Sequence, residues 1–118
     1  MLKVGVDIVA ISRIESFFCK YGKKGLAKFL TQNEINLAKS PQTYAGFWAA
    51  KEACSKALQC GISKELSFND MEITKTTKNA PILSLSEKKR AYFKVDSISL
   101  SISHDNGFAI AVVAITFL

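Results

Sequence analysis

The sequence predicts an α+β domain in which helices, one of them long, pack on a mainly antiparallel sheet. Three observations carry this. Helix signals fill residues 12–59, strand signals fill residues 71–117, and a further strand opens the chain. Leu2, Val4, Val6 and Ile8 alternate with Lys3, Gly5 and Asp7, which predicts a strand that buries its apolar face and turns Gly5 and Asp7 the other way. Ser12 suits the N-cap of a helix to about Tyr21, broken by Gly22 and Gly25. Thr31-Gln-Asn-Glu34 is a capping box that opens a short helix. Ser40-Pro41 starts the longest helix, since serine suits the N-cap and proline the first turn, and Gly61 terminates it beyond Gln59. Met71–Thr76 and Ile82–Leu85 are predicted to pair across the Lys78–Pro81 loop, and Ser86 to cap a short helix through Phe93. Ser97–His104 and Phe108–Phe117 form a hairpin around Asp105-Asn106-Gly107.

A chain of 118 residues, 48% of them hydrophobic, is expected to be one domain over 1–118 with a modest core. Its charge is uneven. Residues 1–60 carry nine Lys/Arg against four Asp/Glu, whereas residues 61–118 carry seven against six. The asymmetry suits an anionic partner on the N-terminal half, although solubility alone also accounts for it. Cys19, Cys54 and Cys60 lack zinc or disulfide spacing and read as small hydrophobes in a reducing compartment. No apolar h-region opens the chain and no stretch nears the roughly 20 apolar residues of a membrane span, so a cytoplasmic protein that binds no membrane is expected.

Asp7, at the end of the first strand, is the first candidate for chemistry, with Gly5 leaving room beside it. On the long helix, Phe47, Ala50, Cys54, Ala57 and Leu58 form an apolar stripe. Roughly opposite lie Ala45, Trp48, Ala49, Glu52 and Lys56, too small and aromatic for a solvated face, and predicted to be covered by a subunit, a ligand or both. Glu52 and Lys56 at i and i+4 read either as a helix-surface ion pair or as a cation-holding carboxylate beside a phosphate-neutralising ammonium. His104 is the only histidine, placed to reach a phosphate or relay a proton. Arg13, Lys20, Lys23, Lys24 and Lys28 form a basic patch. A Gly-rich phosphate loop and a G-x-S-x-G elbow are absent. A basic nucleic-acid-binding domain is the rival reading; it explains the charge but not the acids, and no such module is visible.

Three stretches together resemble the holo-acyl-carrier-protein synthase family of phosphopantetheinyl transferases. They are Gly5-Val-Asp7-Ile-Val-Ala-Ile-Ser-Arg13-Ile14-Glu15, Phe47-Trp-Ala-Ala-Lys51-Glu52-Ala-Cys-Ser-Lys56-Ala57 and Ser101-Ile-Ser103-His104-Asp105, in this order over essentially the full length. The resemblance implies the fold of that superfamily and transfer of 4'-phosphopantetheine from coenzyme A to a serine of an acidic acyl-carrier protein, in fatty acid biosynthesis. It implies Mg2+ on Asp7 and Glu52, charge stabilisation or proton donation by Lys56, and a nucleotide and phosphate pocket lined by Lys51 and His104. Arg13 matches the arginine that meets the carrier's acids, and Lys20 and Lys24 extend that contact. A homotrimer with active sites at subunit borders is also implied. Phe47, Gln59-Cys60 and Asn79 depart from the family pattern without removing a residue of the chemistry. A divergent, inactive carrier-binding subunit is the alternative those departures leave.

Overall fold

The computed structural model describes residues 1–118. Strand β1 (Leu2–Ala10) runs directly into α1 (Ile11–Leu26), followed by the short α2 (Gln32–Leu37) and the long α3 (Pro41–Ala57). A 3-10 turn (Phe68–Asp70) precedes β2 (Met71–Lys75) and β3 (Pro81–Leu85), and α4 (Glu87–Phe93) leads to β4 (Val95–Asp105) and β5 (Phe108–Phe117). The main sheet has the order β1-β5-β4, and β2-β3 forms a separate antiparallel pair. The architecture is the α+β arrangement that the sequence predicts.

Local chemistry explains the element ends. Thr31 Oγ1 accepts from the Glu34 amide while the Glu34 carboxylate accepts from the Thr31 amide, closing the capping box. Ser40 Oγ accepts from the Thr43 amide, with Pro41 at the first helical position. Asn106 and Gly107 hold φ of 51° and 85°, the pair of positive values that suits a tight turn between twisted strands. Two boundaries differ from expectation. Helix α1 starts from Ala10 without a side-chain cap, so Ser12 lies inside it, and Gly22 (φ 61°, ψ −150°) kinks the helix rather than ending it. Helix α3 stops at Ala57, and Gln59 already takes a left-handed φ of 64°.

Helix α3 crosses the main sheet at unusually short range. A Cβ at Gly5 would lie 2.0 Å from the Ala53 carbonyl oxygen and 2.6 Å from the Ala57 nitrogen, so strand and helix backbones touch there. Ala49, Ala53 and Ala57 on the helix and Ala109 and Ala111 on β5, all buried, keep the interface thin. Two expectations are overturned. Ala45 and Ala49 are fully buried within the chain itself, so that part of the stripe needs no second subunit or ligand to cover it, while Trp48, Glu52 and Lys56 stay at least partly accessible. The β1 faces are also reversed: Gly5 and Val9 turn to α3, while Leu2, Val4, Val6 and Ile8 remain 62%, 58%, 50% and 61% exposed. Only a glycine at position 5 admits the helix so closely, which leaves the Leu2, Val4, Val6 and Ile8 side chains outside.

The outward row continues across the sheet. Val6 lies opposite Val112 and Ile8 opposite Ile110, and both β5 residues are exposed, as is Phe108. Ser97, Ser99, Ser101 and Ser103 complete the outer face on β4. Monomeric proteins rarely present a contiguous apolar patch of this kind. If the Gly5 contact sets the helix–sheet distance, Gly5→Ala lowers stability by about 3 kcal/mol, because backbone rather than side chain must move. Urea denaturation measures this, and a loss below about 1 kcal/mol would contradict the contact.

Candidate active site

Because Gly5 brings β1 onto α3, Asp7, two residues further on the same face, meets the helix one turn along. Asp7 Oδ1 accepts a hydrogen bond from Lys56 Nζ at 2.8 Å, and the same ammonium donates to the Val6 carbonyl at 3.2 Å. The i, i+4 ion pair between Glu52 and Lys56, one of the two readings of that spacing, does not form; Lys56 crosses to the strand instead. Its side chain stays 52% exposed against 15% for Asp7, so the ammonium is free to turn toward a ligand while the carboxylate is held.

Glu52 stands beside this pair, half-buried and without a hydrogen bond to its carboxylate within the chain. Burial pushes its pKa up and the Asp7 carboxylate adds to the rise, against the pull of Lys56 and Arg13. Two acids from opposed elements therefore share one cleft and repel each other, the arrangement a divalent cation relieves. No group of three or more His, Cys, Asp or Glu side chains gathers in the chain. Two hard oxygen donors are nevertheless the usual protein share for magnesium, which takes its other ligands from water and substrate phosphates. The donor set fits Mg2+.

Lys51 requires a correction. The sequence places it in a phosphate pocket, yet its side chain is 0% exposed. Lys51 Nζ donates to Glu34 Oε1 at 2.7 Å, the Phe29 carbonyl at 2.7 Å and the Phe68 carbonyl at 3.3 Å, which leaves no proton for a ligand. Burial lowers its pKa, against the opposing effect of Glu34. Glu34 Oε2 accepts from the Ile73 amide at 2.7 Å, so one buried pair ties α2, α3 and β2 together. Lys51 holds the fold, with all three ammonium protons used inside the chain.

Arg13 sits over the Trp48 ring, 5.8 Å from its centroid, and near enough to Glu52 to oppose the rise in its pKa. Trp48 in turn packs on Phe29 and Phe68 at 5.1 and 5.3 Å between centroids. Arg13, Ile14, Phe17, Lys20, Tyr21 and Trp48 line a groove of about 320 Å3 beside the acidic pair. Lys24 lies exposed beyond the Gly22 kink and does not line it. His104 is remote from these residues. Its Nε2 lies 2.9 Å from the Gln42 carbonyl, and with Lys75 it lines a separate cavity of about 160 Å3. Glu34 was missed as an organising residue, being visible only as a cap.

Known proteins resemble this arrangement throughout. The family model of the 4'-phosphopantetheinyl transferase superfamily matches residues 3–113. A holo-[acyl-carrier-protein] synthase from Wolinella succinogenes is 56% identical over 111 residues, covering 94% of each chain. The crystal structure of the Helicobacter pylori holo-[acyl-carrier-protein] synthase in complex with coenzyme A superimposes with a TM-score of 0.94 at 54% identity, over 96% of this chain and 99% of that one. A Bacillus anthracis holo-(acyl-carrier-protein) synthase in complex with CoA (3',5'-ADP) gives a TM-score of 0.80 at 37% identity, over 96% and 94%.

The raised pKa of Glu52 has a signed consequence for stability. The folded chain holds this proton above the ordinary 4.5, so its contribution is fully present below 4.5 and is lost as pH rises through the raised value. Above that raised value Glu52 is a burden on the metal-free fold. Glu52→Gln therefore raises Tm at pH 7 without divalent cations, and the gain shrinks toward pH 4.5. Calorimetry at both pH values checks this, and a lower Tm at pH 7 would contradict the crowded-acid geometry.

Proposed function

The chain belongs to the 4'-phosphopantetheinyl transferase superfamily, and we propose that it moves 4'-phosphopantetheine from coenzyme A to a serine of apo-acyl-carrier protein, releasing 3',5'-ADP. The observation that carries this reading is the meeting of Asp7, Glu52 and Lys56 in one cleft. In the reaction, the serine oxygen bonds to the pantetheine-side phosphorus, the bond from that phosphorus to the bridging oxygen breaks, and the serine proton leaves to a water or a carboxylate near Glu52. No side chain needs to form a covalent intermediate.

Asp7 and Glu52 would hold Mg2+, which supplies positive charge to the pyrophosphate oxygens as the phosphoryl group transfers. Lys56, exposed and tethered to Asp7, turns its ammonium to the departing phosphate and offsets the charge that develops there. Asp7 keeps its place because the Gly5 contact fixes β1, and Glu52 because α3 is almost wholly buried around it. The two acids are thus held at the site before any ligand arrives.

The groove beside the acids suits an acidic helical partner with apolar side chains. Arg13 and Lys20 flank Ile14, Phe17, Tyr21 and Trp48, so charge steers approach while the aromatic floor takes the apolar contact. Lys24 extends the basic surface for encounter. The same reading assigns the reaction to fatty acid biosynthesis in the cytoplasm; no helix of the chain is long and apolar enough to cross a membrane.

The outer sheet face supports self-association, with Val4, Val6, Ile8, Ile110 and Val112 covered by second copies. A homotrimer with active sites at subunit borders is the state that the family resemblance implies. Trp48 then serves the carrier groove and the aromatic core rather than the subunit contact.

The assay is direct: apo-carrier, coenzyme A and Mg2+ are incubated and the added phosphopantetheine mass is sought. Asp7→Ala and Glu52→Ala are each expected to cut turnover by about 1000-fold while the chain stays folded; near-wild-type rates at saturating Mg2+ would remove the metal assignment. Arg13→Glu is expected to raise KM for the carrier by about tenfold and leave that for coenzyme A unchanged. Val6→Lys should shift the light-scattering mass from trimer to monomer, and a monomeric wild-type chain would refute the assembly.

A further inference from the structure

Asp7 already carries a cation of the chain's own. Lys56 Nζ donates to its Oδ1 at 2.8 Å and to the Val6 carbonyl at 3.2 Å, so two bonds anchor the ammonium to β1. Magnesium sits at about 2.1 Å from a carboxylate oxygen. An ion on Asp7 and an ammonium on the same carboxylate would crowd like charges onto one group, with no anion between them. Asp7 accommodates one of the two comfortably, not both.

The cleft also balances its own charge. Asp7 and Glu52 bring two negative charges when ionised. Lys56 on Asp7, and Arg13 acting on Glu52, bring two positive ones. A dication that entered alone would meet a neutral site and would displace an ammonium that had no new partner. Coenzyme A changes both conditions, because its pyrophosphate supplies negative charge to the ion and an acceptor to the ammonium. Lys56 is free to make that move. Its side chain is more than half exposed, and exposed ion pairs add little to stability. Lys51, one helical turn and a residue earlier, could not follow, since its three protons are all used in the core.

We infer that Lys56 and the divalent ion exchange places on Asp7, so that the ion loads together with coenzyme A rather than before it. The inference rests on the proposed transferase reading and adds the order in which the two cations occupy Asp7. Lys56 keeps the carboxylate positioned until the ion takes it. The ammonium released by that exchange is the one that meets the phosphate, so metal loading and charge delivery become a single event.

Mn2+ titration of wild type, Lys56→Met and Lys56→Arg, with and without coenzyme A, tests this without turnover; free Mn2+ is followed by electron paramagnetic resonance. Wild type should bind Mn2+ weakly alone and about tenfold or more tighter beside coenzyme A. Lys56→Met, folded by circular dichroism, should bind Mn2+ alone about tenfold tighter than wild type, because the competing charge on Asp7 is gone. Coenzyme A should then add less to its Mn2+ affinity than it adds in wild type. Lys56→Arg keeps the charge and should stay weak alone. Mn2+ binding alone that is no tighter in Lys56→Met than in wild type would overturn the inference, while uptake beside coenzyme A by wild type still upheld the metal reading. An equal gain with and without coenzyme A would mark a general effect of charge and overturn the exchange as well. No uptake by wild type even beside coenzyme A would overturn the metal reading and the inference with it.

Discussion

At Gly5 the strand and helix backbones meet with no room for a methyl group, and the rest of the structure follows from that contact. It requires alanines along α3 and β5, because larger side chains would hold the helix away. It sets Asp7 within reach of Lys56 and brings two carboxylates into one cleft. It also reverses the usual use of an amphipathic strand. The small face of β1 meets the core, and the valine and isoleucine face is left exposed. The geometry of the acidic cleft and the exposed apolar face therefore share one cause.

The buried pair of Lys51 and Glu34 is the second organising element. Desolvating two charges is costly, and such a pair holds only where the remaining donors and acceptors are matched. Here all three ammonium protons and both carboxylate oxygens have partners. The pair links the capping box of α2, the middle of α3 and the start of β2. It fixes the neighbouring residue Glu52 on one side and the start of the β2–β3 hairpin on the other.

Most of the fold was legible because caps, turns and periodicity are local. The Thr31 box, the Ser40-Pro41 start and the Asn106-Gly107 turn each act through neighbours in sequence. The β1 faces were misread for a different reason. Alternation reveals two unlike faces but not which one meets the core, and here the decisive fact is a glycine contact with residues about 50 positions away. Lys51 carried a signal that was passed over: at i+4 from Phe47 it lies within the apolar stripe of α3, where a lysine must be paired inside. The site acids were legible as a constellation of residues, but the Lys56–Asp7 bond was not, since it competes with an equally plausible pair along the helix.

The account depends on Asp7 and Glu52 acting together as the seat of a divalent cation, with Lys56 as the charge that shares Asp7 and serves the phosphate. Mn2+ titration in the presence of coenzyme A, with free Mn2+ followed by electron paramagnetic resonance, measures that directly. Wild type should take up one ion per chain. Asp7→Asn, folded by circular dichroism, should lose that site. Unchanged stoichiometry and affinity in Asp7→Asn would contradict the account at its centre.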